Sequence, residues 1–418
     1  MRRSWPFPLL LVWILTAPVP GDAVELHVDD IDLPPHLYHQ RPLRDPFTAL
    51  KPKLESGALP LERGTEKAFL ISLLKALDIP VSSQLWVFST TSLQLRLISP
   101  SNPRALYFND ELYVGFIPGG RIEILSLDPD LGGIYYIFSI PAASEPIQVE
   151  RSDRCMKCHA GEQTGGVPGI VIKSVVPGPT GGSLNAFRQL ESGHGIPFHD
   201  RFGGWHVTGG PNLTNHWGNL TGSMSAGVIT RVPNLPGEAF NVAKYPAATS
   251  DLLAHLLLEH QAGFANRVIA ATYRAREIAQ EAGATLPAKA STELQGIARD
   301  LVRYILFADE APLPEGGVSG DDAFKQAFLK NRHVAGGRSL KDLQLTRRLF
   351  THRCSYMVYT PLFLGMPPLL RQEVARELAS SLAPGRHDGP GAALEEEEKQ
   401  AIREILRTTL PEFPLPNG

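Results

Sequence analysis

The chain has little cysteine or methionine and no surplus of charge. Its 418 residues include three cysteines and five methionines, and 40 Lys and Arg stand against 43 Asp and Glu, a formal net charge of −3. Three cysteines are too few for a scaffold held by disulfides. A chain without a basic surplus also lacks the electrostatic footprint of nucleic-acid binding, so we expect no nucleic-acid partner. Since 43% of the residues are hydrophobic, the chain can bury a substantial core.

No apolar run is long enough for a confident transmembrane helix, which needs about 20 residues. The apolar run over residues 5–17 is shorter and is interrupted by prolines. It follows the basic start Met1-Arg2-Arg3 and precedes the small residues of Gly21-Asp22-Ala23, a pattern typical of a secretory signal peptide over residues 1–23. An uncleaved N-terminal anchor is the alternative. We therefore predict a periplasmic or secreted protein, in an oxidising compartment, whose mature chain has no transmembrane segment.

The first half of the mature chain consists of a proline-rich segment followed by a segment with strand patterns. Residues 24–65 are irregular and rich in proline, which predicts an extended arm lying on the body of the protein. Residues 66–150 begin with a helical pattern and continue with short apolar or alternating runs separated by turn residues, which predicts a β-rich module of about five strands. The predicted strands are 85–88, 93–98, 111–117, 121–127 and 134–140.

The second half is first rich in glycine and then helical. Of the 38 glycines, 17 lie in residues 160–237, so we expect residues 151–250 to be mostly loops built around a bound group. From residue 251 to 418 we predict helices, the first of them with Ser250 as its N-cap. The later helices are predicted at 292–307, 321–329, 340–350, 367–382 and 395–406. The expected fold class is α+β, with a β-rich N-terminal module, a loop-rich region and a mainly α-helical C-terminal half.

Two of the three cysteines lie in one short motif. Cys155-Met156-Lys157-Cys158-His159 has the spacing of a c-type haem attachment sequence. Two thiols three positions apart can form thioethers with the two vinyl groups at one porphyrin edge, and the adjacent imidazole then serves as the proximal iron ligand. The predicted export agrees with this chemistry, because haem attachment takes place outside the cytoplasm. We predict one covalent haem c on Cys155 and Cys158, with His159 as axial ligand and residues 151–250 as the haem-binding region.

Two other sites fit a pair of cysteines at this spacing. A disulfide between Cys155 and Cys158 would be redox-active, although the glycine-rich segment that follows lacks the βαβ context of a thioredoxin-like site. A zinc site would need two more ligands, for which His194 and His199 have a suitable spacing. Cys354 is left unpaired once the other two cysteines bind haem, and its mostly apolar neighbourhood favours an inert buried thiol.

The sixth ligand of the iron has four candidates. Met224 lies in a loop that could fold over a haem face, and His216 and His206 lie in glycine-rich loops beside tryptophans, where a flat macrocycle could approach closely. His260 lies on the apolar side of the helix after Asp251, where a histidine belongs to the core more often than to a metal site. Two strong ligands favour an electron carrier, whereas an open position favours a catalytic or ligand-binding haem.

Several further blocks of sequence accompany the haem motif. These blocks are Ser99-Pro100, 104–110, 113–116, 164–169, Gly203-Gly204-Trp205, 216–219, 258–261, 337–340 and Cys354-Ser355-Tyr356. With them the chain resembles, over most of its mature length, a family of uncharacterised exported cytochrome c-like proteins of environmental bacteria that carry one haem. The resemblance implies a haem-binding electron-transfer protein and no particular substrate. Family members have Tyr after Gly-Gly-Trp where this chain has His206, which weakens His206 as a general axial ligand.

Together these observations predict a periplasmic haem c protein that passes electrons to a redox partner protein. The 418 residues far exceed what a small soluble carrier needs. A haem-dependent oxidoreductase, a peroxidase-like enzyme or a haem-based ligand sensor is therefore the alternative, and the sequence does not decide whether the protein is an enzyme. A further alternative is an interaction protein in which haem or zinc is a structural core. The oligomeric state is not predicted.

Overall fold

The structure is a computed structural model that describes residues 31–142, 145–186, 193–283, 285–411 and 413. The predicted signal peptide, residues 1–23, lies outside the described residues. Strands dominate the N-terminal half and helices the C-terminal half, so the predicted α+β class is confirmed. No helix among the described residues is both long enough and apolar enough to cross a membrane.

Seven strands form one antiparallel sheet in the order β6-β5-β4-β3-β2-β1-β9. Turn residues close its hairpins as the sequence predicts: Asn109 Oδ1 accepts hydrogen bonds from the amides of Glu111 and Leu112 at 2.9 and 2.8 Å. The strands are β1 Leu85–Val87, β2 Arg104–Phe108, β3 Leu112–Phe116, β4 Arg121–Asp128, β5 Gly132–Ser139, β6 Glu150–Arg151 and β9 Trp205–His206.

The glycine-rich region contains two separate β-ribbons as well as loops. One ribbon pairs β7 Val175–Pro177 with β8 Ser183–Ala186, and the other pairs β10 Leu220–Ser225 with β11 Val228–Pro233. The same region also contributes β9, which pairs with β1 and so attaches the region to the edge of the main sheet.

Nine α-helices occur among the described residues. They are α1 Pro46–Glu55, α2 Glu66–Ala76, α3 Met156–His159, α4 Leu252–Ala282, α5 Ala288–Ile305, α6 Asp322–Leu329, α7 Pro361–Leu364, α8 Pro368–Ser381 and α9 Glu396–Thr409. The longest, α4, is buried along most of its length and is the central helix of the core.

The predicted cap of α4 is wrong by one residue. Asp251 is the N-cap, and its Oδ2 accepts hydrogen bonds from the amides of Leu253 and Ala254. Ser250 instead joins α4 to the sheet, because its Oγ donates to the His206 carbonyl at 2.6 Å and accepts from the Trp86 amide at 3.0 Å.

The arm of residues 24–65 is not irregular throughout, since it contains α1. Asp45 caps this helix by accepting from the amides of Phe47 and Thr48, both at 3.1 Å. Pro46 occupies the first helical position, where its fixed φ favours the helix and its missing amide hydrogen costs nothing. The prolines that suggested an extended arm therefore include one that starts a helix.

Two predicted elements are absent, and in both segments a glutamine side chain binds backbone groups. Residues 93–98 form turns instead of a strand, and the Gln94 side chain attaches them to β4 by accepting from the Arg121 amide at 2.7 Å. Residues 340–350 contain a short antiparallel bridge between Leu343 and Phe350 instead of a helix, and within it Gln344 Oε1 accepts from three successive amides, those of residues 346–348.

The two faces of the sheet have different partners. On one face, Tyr136 of β5 packs on Phe47 of α1, with ring centroids 4.8 Å apart. On the other face, Tyr113 of β3 donates to Gln261 of α4 at 3.1 Å, and Tyr135 of β5 packs on the ring of His159. We call this second face the motif face. It includes Val87, Arg104, Leu106, Gly115, Glu123 and Tyr135, which follow from the strand register and the alternation of side chains.

Three buried histidines are neutral in the folded protein. Burial lowers the pKa of His206 to about 3, of His255 to about 4 and of His260 to about 3. In the unfolded chain each would titrate near pH 6.5. At pH values between the folded and unfolded pKa values, the folded state thus binds fewer protons than the unfolded state. The stability that these histidines contribute is fully present above about pH 6.5 and is lost as the pH falls.

We expect the free energy of unfolding to fall on acidification, and substitution of His206 to flatten the fall. The His206 ring packs among Trp86, Phe88 and Phe240, so phenylalanine fits the same cage. In His206→Phe the fall below pH 6.5 should be smaller by up to about 1.4 kcal/mol per pH unit. Denaturant unfolding from pH 7 to 4.5 measures it, with the exposed His387→Gln as control. Equal slopes in wild type and His206→Phe would contradict this explanation.

Candidate haem site

The motif folds as one helical turn that places its chemical groups on one side. A 3-10 turn, Asp153–Cys155, leads directly into α3, and the buried Met156 anchors this turn in the core. Residues three and four apart on such a turn are neighbours, so Cys155 lies beside Cys158 and His159. All three cysteines of the chain are free thiols, and Cys158 is exposed while Cys155 is half-buried.

The tautomer of His159 follows from its hydrogen bond. Nδ1 lies 2.9 Å from the Gly169 carbonyl oxygen. Because a carbonyl only accepts, Nδ1 carries the proton and Nε2 has the free lone pair. Burial lowers the pKa of His159 to about 4, so the ring is neutral at neutral pH. A neutral imidazole with its second nitrogen bound to a carbonyl is the state in which histidine ligates a metal.

The carbonyl that orients His159 is itself held from two sides. Gly169 donates its amide to the His159 carbonyl at 2.7 Å, and Tyr135 Oη of β5 donates to the Gly169 carbonyl at 2.8 Å. From α4, Asn266 accepts from the Ile170 amide at 2.7 Å and donates to the Ile170 carbonyl at 2.9 Å. The sheet and the central helix together therefore fix the orientation of the imidazole.

A pocket lies on the motif face, in front of the motif. Its walls combine apolar side chains with two cations and with two of the motif residues. The lining residues are Val87, Thr91, Arg104, Leu106, Cys158, His159, Val171, Lys173 and Trp205. An apolar macrocycle with two carboxylates matches this mixture of surfaces.

One of the two cations, Arg104, forms an ion pair with Glu123, which is not among the lining residues. Arg104 Nη1 lies 3.1 Å from Glu123 Oε2, and Glu123 also accepts from Ser92 Oγ at 2.7 Å and from Gln94 Nε2 at 3.0 Å. Burial opposes ionisation of Glu123, but Arg104 and these two hydrogen bonds outweigh it and hold the pKa of the carboxyl below its usual value. A Cβ at Gly115 would lie 3.1 Å from Glu123 Oε2, so the glycine leaves room for the pair.

The residues present fit a c-type haem. Arg104 Nε is buried and has no hydrogen-bond partner among the described residues, so this donor is available to a ligand in the pocket. A thiol, an imidazole with a free lone pair, apolar walls and a cationic edge surround the same space. These residues would attach the haem, ligate its iron on one side and balance the charge of its carboxylates.

Two of the four candidate distal ligands, His206 and His216, lie outside the pocket lining. Trp205 pairs with Val87 and faces the pocket, so the next residue, His206, lies on the opposite face of the sheet. His216 Nδ1 accepts from the Gly218 amide at 3.0 Å, which leaves the ring proton on Nε2.

The other two candidates are also outside the pocket lining. Both ring nitrogens of His260 are engaged, Nδ1 with His194 Nδ1 and Nε2 with Ser355 Oγ, each at 2.8 Å. Met224 lies on the β10–β11 ribbon with 55% of its surface exposed. The structure thus brings together Cys155, Cys158 and His159 but none of the four distal candidates with them.

The geometry does not gather ligands for the zinc alternative. Among the described residues, no group of three or more His, Cys, Asp and Glu side chains is close enough to hold a metal ion. His194 lies in the core against His260, and His199 is exposed beside Asp200. Cys354 is fully buried, and burial raises the pKa of its thiol, so the thiol stays protonated.

Comparison of the chain with protein-family models, with curated protein sequences and with solved structures gave no match. The resemblance to cytochrome c-like proteins therefore stays a prediction, and the site rests on its own geometry.

The sequence did not reveal the supporting residues of the site. Arg104 belongs to a block that carries the family resemblance, yet no role followed from it, and Asn266, Tyr135 and Lys173 were not singled out. The one usable signal was Arg104 itself, a charged residue in an otherwise apolar strand, alternating with Leu106.

Gly169 is the position of the site where we expect substitution to be most destabilising. An added Cβ would clash with Asn266 Oδ1, so Gly169→Ala must displace the side chain that holds the loop. We expect a loss of about 1–3 kcal/mol in the free energy of unfolding, the usual cost of overpacking. Gly161→Ala is the matched control, since its Cβ would meet nothing closer than 3.7 Å and its φ of −109° suits alanine. Denaturant unfolding of both variants checks this, and equal stabilities would contradict it.

Proposed function

We propose that the protein carries one covalently attached haem c and transfers electrons through it in the periplasm or outside the cell. The observation that supports this most strongly is the state of His159. Its Nδ1 proton is donated to the Gly169 carbonyl, its Nε2 is free to ligate, and its ring lines the same pocket as the Cys158 thiol. A motif match alone would require none of these features.

Each group has a defined role in this proposal. The thiols of Cys155 and Cys158 hold the haem by thioether bonds, and His159 Nε2 is the proximal ligand. The side chains of Leu106 and Trp205 present apolar surface to the pocket. Bound haem supplies an iron that cycles between the ferrous and ferric states. The exposed position of Cys158 leaves this edge accessible to a redox partner protein.

A specific observation favours a second candidate function, in which the haem binds an external ligand. None of the four predicted distal ligands, His206, His216, His260 and Met224, is among the residues that line the pocket. A haem with one protein ligand leaves a position for a small molecule, as in haem enzymes and haem-based sensors. The length of the chain, which far exceeds that of a small carrier, also favours a ligand-binding or catalytic haem.

The proposal predicts covalent haem on the wild-type protein produced with its signal peptide in a host with an intact haem attachment system. The wild type and the control Cys354→Ala should keep haem absorption after denaturation, because Cys354 is buried in the core. The double variant Cys155→Ala, Cys158→Ala should lose it. The absorption spectrum of the denatured proteins measures this. A wild type without covalent haem would overturn the proposed function.

The second candidate predicts that the ferric wild type is high-spin and binds cyanide, and that the ferrous form binds carbon monoxide. The variants His206→Phe, His216→Ala, His260→Ala and Met224→Leu should leave the spin state unchanged, because these residues lie outside the pocket lining. Visible spectra with and without the ligands provide the measurement. A low-spin wild type that becomes high-spin in one variant would identify that residue as the sixth ligand and support a simple carrier.

A further inference from the structure

Arg104 has a donor that the protein itself does not use. The residue lies in β2 on the motif face and lines the pocket together with Cys158 and His159. Its ion pair with Glu123 occupies Nη1, whereas Nε is buried and has no partner among the described residues. A buried N–H group without an acceptor is costly, and native structures retain few of them.

The guanidinium is held in position for a ligand. The Glu123 carboxylate that anchors it is fixed by Ser92 and Gln94, and Gly115 leaves the space in which the two charged groups meet. The partner of Arg104 therefore cannot easily turn to satisfy Nε as well. Because Glu123 is engaged on both of its oxygens, the arrangement is rigid before any ligand arrives.

The positive charge of the pocket lining favours an anionic ligand. Its lining residues include the two cations Arg104 and Lys173 and no carboxylate. Arginine presents N–H groups in a planar fork that suits the oxygens of an anion, and lysine adds a mobile positive charge. A neutral or cationic ligand would gain nothing from this edge of the pocket.

We propose that Arg104, assisted by Lys173, is the anion-binding residue of the haem pocket, and that its Nε–H donates to an anionic group held there. The inference rests on the proposed function. Two sources of the anion share this chemistry, a propionate carboxylate of the bound macrocycle and a small anion bound to the iron.

Arg104→Lys tests the proposal in the haem-loaded protein, since it keeps the charge but removes the Nε–H donor. Arg121→Lys is the matched control. Arg121 is in β4 on the same face and also has a buried, unpartnered Nε, but it pairs with Glu150 and does not line the pocket. Should Arg104→Lys fail to fold, the double variant Arg104→Gln, Glu123→Gln, which removes both charges of the pair, replaces it.

Two measurements distinguish the sources. If the anion is a propionate, its ionisation makes the midpoint potential depend on pH. The propionate pKa that this dependence reports should be about one unit higher in Arg104→Lys, with azide affinity unchanged. If it is an iron-bound anion, the dissociation constant of azide should rise about tenfold, with the pH dependence unchanged, which corresponds to loss of one hydrogen bond to a charged group. If the wild type does not bind azide, the potential measurement decides alone.

Failure of this inference is distinguishable from failure of the proposed function. A haem-loaded wild type whose Arg104→Lys and Arg121→Lys variants agree in both measurements overturns the role of Arg104 and leaves the haem in place. A wild type that takes up no haem overturns both.

Discussion

The hydrogen bond from His159 Nδ1 to the Gly169 carbonyl is the interaction on which the site depends. It converts a short sequence motif into an oriented ligand, because it fixes both the tautomer and the direction of the ring. Its acceptor is in turn held by Tyr135 from the sheet and by the loop that Asn266 clamps from α4. Contacts from both halves of the α+β fold thus hold the peptide group between Gly169 and Ile170.

The motif face supplies both the apolar and the charged side chains of the pocket, because alternate residues of each strand point to this face. Leu106 and Val87 present apolar surface, while Arg104 of β2 and Glu123 of β4 place a charged pair on the same face, across Gly115 of β3. Such a pair is expensive to desolvate unless its remaining donors and acceptors find partners. Both oxygens of the carboxylate have partners within the protein, whereas Nε of the guanidinium has none among the described residues, and this asymmetry is what makes the pocket receptive to an anion.

The parts of this structure that sequence predicts well are those set by local pattern. Four of the seven strands of the main sheet, β1, β3, β4 and β5, and most C-terminal helices follow from residues close together in the chain, whereas β2 was not predicted. The failures at 93–98 and 340–350 occur where Gln94 and Gln344 use a side-chain amide to bind backbone groups, which periodicity cannot reveal. The supporting residues of the site were missed for another reason. Arg104 and Asn266 approach the motif only through sheet register and helix packing, which are properties of the folded chain.

The helical half packs against the sheet in one continuous hydrophobic core, which weighs against a purely structural role for the haem. Along α4, the side chains of Leu253, Leu257 and Phe264 are fully buried by contacts within the protein. Burying such side chains contributes about 1.5–3 kcal/mol each, so α4 needs no cofactor to hold it in place. The motif instead lies on the sheet surface, at the border of this core. A haem bound there would depend on the fold for its position, whereas the fold would depend little on the haem. This is the arrangement expected when the cofactor serves chemistry.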